Sequence, residues 1–319
     1  VSRIPEAEPA SGSRRLPAPT RRQVLEGLAT EFEAGGIPGG RQEAERLLSH
    51  VLGLSRTELL LHPYDAITPE DAGLVAAASR RRLSGVPLQH LEGTVAFRDL
   101  VLVCDGRALV PRPETEELVQ RVVDWASARR SKGGVRPVRR PGEPTPLLAT
   151  ALDIGTGGGC IALSLLHEGV VGRVVAVDIS EDALELAAQN AERVGVGDRI
   201  ELRATTGSPW SAVQPGETFD VIVSNPPYVP DAEIENLARE VRDHDPFEAL
   251  AGGVDGLVVV REIVAGAPSR LSRGGALFLE VGVGQGREVS RLLSESGSWA
   301  DIQVTRDLAG RERVVIARA

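Results

Sequence analysis

Apolar residues recur at three-to-four spacing between Arg21 and Ser84, as in Val24-Leu25-Leu28 and Ala44-Leu47-Leu48-Val51. That is the period of amphipathic helices, because residues three and four apart share one face of the turn. Thr68, Pro69 and Asp71 announce a helix start: an N-cap, a proline where no amide hydrogen is needed, and an acid in a capping-box-like place. A small helical bundle over residues 21–90 is the expectation. The pattern then changes to alternating and β-branched in GTVAFRDLVLVCDGRALVPR, with Asp105-Gly106 as a turn signal, which predicts a linker β-hairpin over 91–112. A helix should begin near Glu114. The Gly-, Pro- and Arg-rich stretch that follows reads as a flexible basic insert at about residues 129–145.

From Leu147 onward strands and helices alternate. LLATALDIG precedes a helix to about His167, RVVAVDI precedes a helix to Arg193, and RIELRA and FDVIVSN follow. A helix around Leu257 to Leu271, the strand GALFLEVG, another helix, and the strands ADIQVTRD and ERVVIAR complete the series. Such alternation implies an α/β fold with a mostly parallel, doubly wound sheet. A short Gly-containing turn between the last two strands predicts an antiparallel C-terminal hairpin.

Composition narrows the classes. A length of 319 residues suggests about two domains. No apolar run approaches the roughly 18 residues that span a bilayer, so no membrane role is expected. The formal charge of −9 argues against affinity by blanket phosphate neutralisation, and no stable nucleic-acid binding is expected. Two cysteines, Cys104 and Cys160, lack zinc-type or redox-type spacing, and the five histidines form no ligand motif, so no metal is expected. Residues 1–20, rich in Pro, Ser and Arg, lack the apolar core of a secretory signal. They read as a disordered tail, and the location as cytoplasmic.

LDIGTGGGCIAL, Leu152 to Leu163, follows a strand with Gly155, Gly157, Gly158 and Gly159. Glycines there let the backbone pass close to a ligand, and the next helix presents free N–H groups. The glycines fall as DxGxGxG, and Cys160 stands where a dinucleotide fingerprint wants its third glycine. Asp153 would repel a pyrophosphate and welcome an ammonium group. Asp178 ends the next strand, where a carboxylate accepts ribose hydroxyls; the plainer reading is a helix-terminal acid before the N-cap Ser180. Together these features resemble an S-adenosylmethionine-dependent methyltransferase.

In FDVIVSNPPYVP, Phe219 to Pro230, a core strand breaks into Asn225-Pro226-Pro227-Tyr228. The Asn225 side-chain carbonyl and the Pro226 backbone carbonyl offer two acceptors to a planar NH2, the prolines fix the backbone, and Tyr228 offers a flat face. A strand-ending turn is the plain alternative. The tetrapeptide alone serves adenine-N6 and glutamine-N5 methylation equally.

VPRPETEELV, Val110 to Val119, is similar to the signature of the HemK-type (PrmC) release-factor glutamine N5-methyltransferases. GVPLQHLEGTVAFRDL before it and EVRDHDPFEALAGGVDGL after NPPY also resemble that family, so the likeness covers about residues 20 to 319. The resemblance implies a substrate-docking helical domain over 21–90 and a Rossmann-like class I methyltransferase domain over 113–319 with a seven-stranded sheet. It implies S-adenosylmethionine as cofactor and the glutamine of the Gly-Gly-Gln motif of class 1 peptide chain release factors as target. Motif by motif it implies Gly155, Thr156, Gly157, Gly158, Gly159, Asp178 and Asn225 at the cofactor, and Asn225, Pro226, Pro227 and Tyr228 around the glutamine. Trp210 stands where the family has an aromatic against the adenine, and Pro209 replaces the usual acid before it. Arg112 and Glu114 are expected to shape the substrate entrance. Adenine-N6 methylation of DNA or RNA is the alternative, and a non-catalytic binding module the third reading; the intact motifs argue against the latter.

Overall fold

The computed structural model describes residues 18–131, 145–307 and 309–319. Most of the expected tail, residues 1–17, and of the basic insert, residues 132–144, lies outside the described residues. The chain divides into two compact units, one ending at Ser84 and the other running from Gly85 to Ala319.

The first unit is helical: α1 (Arg21–Ala34), α2 (Gly40–Leu52), α3 (Arg56–Leu61) and α4 (Pro69–Leu83). Thr20 with Gln23 and Ser55 with Glu58 form capping boxes, and Thr68 caps α4 at the Asp71 amide with Pro69 in the first turn. These side chains satisfy amides that a helix start leaves without partners. Leu25, Leu28 and Phe32 of α1 and Ala44, Leu47 and Leu48 of α2 are buried, which is the three-to-four stripe of the sequence. Arg82, 4% exposed, reaches Glu43 at 2.5 Å, so this buried arginine keeps a carboxylate partner.

The second unit opens with α5 (Leu88–Glu92) and the hairpin β1 (Thr94–Phe97) and β2 (Leu100–Val103), then α6 (Pro113–Ser131). The hairpin turns at Arg98-Asp99, and Asp105-Gly106 falls beyond β2, which corrects the turn expected there. Arg98 adopts φ +50, a conformation non-glycine residues rarely enter. It is held by Glu168 on two nitrogens at 2.5 and 2.8 Å, by Gln120 at 3.1 Å, and by Glu116, whose carboxylate accepts from the Arg98 amide at 3.1 Å. Tertiary hydrogen bonding thus overrides the local preference for Asp-Gly. Helix α6 extends into the expected insert: Arg129 donates to Gly274 O at 2.6 Å and lies over the Trp125 ring at 5.3 Å, so this residue is anchored and does not belong to a linker.

Then come β3 (Leu148–Ile154), α7 (Cys160–His167), β4 (Val171–Asp178), α8 (Glu181–Val194), β5 (Ile200–Ala204) and β6 (Phe219–Ser224). The short helices α9 (Arg239–Arg242) and α10 (Phe247–Leu250) precede α11 (Val258–Gly266), β7 (Leu271–Glu280), α12 (Gly286–Ser296), β8 (Asp301–Arg306) and β9 (Glu312–Arg318). The expected helix to Leu271 ends early because Pro268 cannot continue the ladder, and residues 267–270 form a 3-10 turn. The seven-stranded sheet runs β5-β4-β3-β6-β7-β9-β8, parallel except for β9, which pairs antiparallel with β7 and β8. Alternate residues feed two cores. Val221, Val223 and Phe278 pack on the face of α6 and α7, and Ile222, Leu277 and Leu279 on that of α11 and α12. No helix among the described residues is long and apolar enough to cross a membrane.

Replacing Arg98 by Ala strips Glu168 of its cation in a place only 18% exposed. Unfolding in denaturant should show a loss of about 1–3 kcal/mol. An unchanged midpoint would mean that the hairpin turn does not depend on this side chain.

Candidate active site

Strand β3 ends in the loop Gly155–Gly159 ahead of α7. Gly155 and Gly157 take φ +70 and +54; a Cβ at Gly155 would meet nothing within 4 Å, and one at Gly157 only Ala108 at 3.8 Å. The glycines are therefore required for left-handed backbone, and the space beside them stays open. Three side chains hold the loop, Asp153 and Asn190 buried and Asp178 half-buried. Asp153 Oδ2 accepts from Thr156 Oγ1 at 2.8 Å and from the Ala162 amide at 3.2 Å. Asp178 Oδ2 accepts from the Gly157 amide at 2.8 Å, and its Oδ1 from the Ser180 amide at 2.9 Å. Asn190 Nδ2 donates to Gly158 O at 2.9 Å and to Val103 O at 3.2 Å, while its Oδ1 accepts from Val103 N at 2.7 Å.

A cavity of about 380 Å³ opens at the C-terminal ends of β3, β4 and β6. Gly155, Thr156, Gly157, Gly158, Asp178, Asn225 and Pro227 line it. A second cavity of about 250 Å³ is lined by Pro226, Tyr228, Glu114, Glu280 and Arg313. Leu109, Arg112, Asn225 and Ala249 line both, so the two spaces adjoin at Asn225. The first is of the size that holds a small molecule. Its two arginines, Arg107 and Arg112, pair with Asp105 at 2.8 Å and Asp245 at 2.5 Å.

Asn225 Nδ2 donates to Thr115 Oγ1 at 3.2 Å, whereas Asn225 Oδ1 is buried without a partner. An unpaired buried carbonyl costs about 1–3 kcal/mol, so it marks a place made for a donor from outside the chain. Among the described residues no hydrogen bond reaches the carbonyl of buried Pro226. The backbone around it is fixed: Tyr228 O accepts from Gln285 Nε2 at 2.9 Å, and Val229 N donates to Leu250 O at 3.0 Å. At Gly256, φ +74, a Cβ would come within 2.4 Å of Tyr228 O. Burial raises the pKa of the Tyr228 phenol, and the nearby Glu280 carboxyl adds to the shift.

Several expected residues fall elsewhere. Asp153 does not face the cavity: it is fully buried, serves the loop backbone, and leaves Oδ1 without a partner. Burial pushes its carboxyl up to about 7, against the opposing bonds from Thr156 and Ala162. Burial likewise raises the Asp178 carboxyl, opposed by the Ser180 and Gly157 amides. Gly159 is the left-handed N-cap of α7 and is absent from the lining. Trp210 also misses the cavity, which Pro209 lines. Its Nε1 donates to Glu262 O at 2.8 Å and its ring covers Gly266, where a Cβ would lie 2.3 Å from Nε1.

Sequence reasoning missed Thr115, Glu280 and Asn190. Glu280 is 1% exposed at the end of β7; burial pushes it up to about 7, Thr115 and Arg313 favour its ionised form, and Glu114 opposes it. The available signal was an acid closing the apolar run GALFLE. Arg112 does lie at the cavities, tied to buried Asp245, whose other oxygen accepts from the Val110 amide at 3.2 Å. Among the described residues no cluster of His, Cys, Asp or Glu is arranged to hold a metal ion.

Residues 23–93 match the PrmC N-terminal domain, and residues 151–244 a methyltransferase domain. The release factor glutamine methyltransferase of Gloeobacter violaceus is 40% identical over 87% of this chain and 90% of its own length. That of Cereibacter sphaeroides is 39% identical over 92% and 97%. Among solved structures, the hMettl16 catalytic domain in complex with MAT2A 3'UTR hairpin 6 is 15% identical with a TM-score of 0.50, covering 78% of this chain and 82% of that one, which is a likeness of fold.

Below about pH 7 the folded chain keeps a proton on Asp153 that the unfolded chain releases above its ordinary value of 3.8. Between those limits each step up in pH therefore weakens the fold at this residue. Asp153→Asn removes the titration, so its stability relative to wild type should rise across pH 4–7 and level off above. A difference that stays flat over this range in denaturant melts would contradict the buried-acid assignment.

Proposed function

The chain belongs to the release factor glutamine methyltransferase family, and from that membership we propose that it methylates the N5 amide of the glutamine in the Gly-Gly-Gln motif of class 1 release factors. The observation that carries this reading is Asn225, on the wall between two cavities with its buried Oδ1 unpaired. S-adenosylmethionine is the cofactor proposed for the larger cavity, where it would supply an electrophilic methyl on sulfur. Gly155–Gly158 give it backbone room and Asp178 remains able to accept ribose hydroxyls, since each carboxylate oxygen has a second lone pair beyond its backbone bond.

The glutamine amide belongs in the smaller cavity. Its nitrogen lone pair is delocalised into the carbonyl and is a poor nucleophile. Asn225 Oδ1 and Pro226 O accept its two hydrogens, raise the electron density on nitrogen and aim the lone pair at the methyl. Tyr228 lies against the amide plane. The nitrogen would gain the methyl as the methyl–sulfur bond breaks, its electron pair staying on sulfur as a neutral thioether, and would then lose one proton to water, so no side-chain base is needed; positioning and hydrogen bonding supply the rate.

The helical unit over residues 21–90 is assigned to docking of the release factor. Its exposed Leu60, Leu61, Tyr64 and Leu74 support that assignment, because exposed apolar side chains suit a protein partner. A cytoplasmic location, where translation occurs, belongs to the same proposal.

The test is incubation with labelled S-adenosylmethionine and a release factor, its Gln-to-Ala variant in the Gly-Gly-Gln motif, DNA or RNA. Label on the wild-type factor alone is expected, and label on nucleic acid would establish adenine methylation instead. Asp178→Ala should weaken cofactor binding about tenfold or more by calorimetry, and unchanged affinity would remove the ribose contact from the account.

A further inference from the structure

Pro226 and Pro227 carry no amide hydrogen, so the two residues after Asn225 cannot be tied down by donating. Their rings fix φ, but ψ at each leaves the Pro226 carbonyl free to swing. The span has to be held from its ends. Upstream, Ser224 closes β6, pairs with Leu279 of β7, and donates from its hydroxyl to Ile154 O at 2.7 Å. From Pro226 to Tyr228, the one backbone hydrogen bond among the described residues is at Tyr228 O, and its donor is a side chain, Gln285.

Gln285 stands at the N-cap of α12, where a short Ser, Thr, Asp or Asn would bond the helix amides, yet its side chain makes no cap bond. It joins the loop after β6, the loop before α11 and its own. Nε2 donates to Tyr228 O at 2.9 Å and approaches Gly256 O at 3.5 Å, while Oε1 accepts from the Gly282 amide at 2.9 Å. The bond at Oε1 decides which end of the Gln285 amide faces Tyr228, because a backbone N–H can meet only the carbonyl. The surroundings are closed. A Cβ at Gly256 would lie 2.4 Å from Tyr228 O and 2.8 Å from Gln285 Nε2, and one at Gly282 would lie 2.8 Å from Gln285 Oε1 and 3.2 Å from the Tyr228 ring.

Resting on the function assigned above, we propose that Gln285 is a positioning residue for methyl transfer. It holds the Tyr228 peptide, and across the short two-proline span that hold sets where Pro226 O and the Tyr228 ring meet the substrate amide. Gln285 is absent from the lining of both cavities, so it acts through Tyr228 and touches neither substrate nor cofactor. Tyr228 lines the smaller cavity and not the larger, which puts the effect on the substrate side. An NH2 whose two hydrogens must both be accepted tolerates little displacement, and a shift of about 1 Å at such a site costs up to about a hundredfold in rate.

The experiment compares wild type, Gln285→Met and Gln285→Glu in methyl transfer to a release factor, with cofactor affinity and amide hydrogen exchange measured on each. Methionine keeps the length and removes both hydrogen bonds; glutamate keeps the acceptor for the Gly282 amide and loses the donor to Tyr228 O. Each variant should lower kcat about tenfold or more, while KM for the factor and cofactor affinity stay within about threefold. The Val229 amide, bonded to Leu250 O at 3.0 Å, and the Gly252 amide, bonded to Val229 O at 2.8 Å, should exchange faster in both variants, and the amides of β6 at the wild-type rate. A kcat within about threefold of wild type in either variant, or a cofactor affinity that falls as far as kcat, would overturn the positioning role. Unchanged exchange at Val229 and Gly252 would overturn the hold on Tyr228. A wild-type chain that labels no factor would overturn the reading of function instead, and the exchange rates would still decide whether Gln285 holds Tyr228.

Discussion

Strand β3 pairs in parallel with β4 on one side and β6 on the other, and the site depends on that pairing. Three strands running the same way bring their C-terminal ends to one edge of the sheet. The chain leaves β3 toward β4 and returns to β6 on the other side, so a crevice opens where the order reverses. Ile154 faces Ser224 in the register, and the Ser224 hydroxyl donates to Ile154 O at 2.7 Å. That bond ties the last residue before the glycine loop to the last residue before Asn225. The two motifs lie some 70 residues apart in sequence, and the sheet makes them neighbours.

The same edge collects the polar side chains. Asp153, Asp178 and Glu280 end or nearly end their strands, and Asn225 follows its own. Apolar side chains fill both faces behind them, so these groups sit where water is scarce and hydrogen bonds are strong. Asp153 and Asp178 respond by bonding into the next element and holding the glycine loop. Of the oxygens at this edge that are buried without a partner, Asn225 Oδ1 is the one at the junction of the two cavities. The division of labour follows from it, with cofactor on one side and an NH2-bearing substrate on the other.

The elements were legible because they follow local periods. The alternation of Val221, Ile222 and Val223 between two cores, and the stripe of Leu25, Leu28 and Phe32, are properties of a few adjacent residues. NPPY and the glycine loop were legible for the same reason, being short and contiguous. What failed to show was long-range. Asn190 acts by bonding Val103, 87 positions away, and nothing near Asn190 in the chain announces it. Thr115 lay within a recognised motif but looked like one more first-turn residue until Asn225 was beside it. Arg98 displaced the Asp105-Gly106 turn because Glu116 and Glu168, distant in sequence, hold it at positive φ. Trp210 had the right spacing from Asn225, yet spacing along a loop does not say which way a side chain faces, and its indole turned to Glu262.

The central claim is that Asn225 serves the substrate amide as a hydrogen-bond acceptor and contributes little to holding the cofactor. The most direct measurement is the paired effect of Asn225→Ala on kcat for methyl transfer and on the dissociation constant of S-adenosylmethionine. The account predicts that transfer is abolished while cofactor affinity stays within about tenfold of wild type. Equal losses in both would contradict it and make Asn225 a cofactor-binding residue.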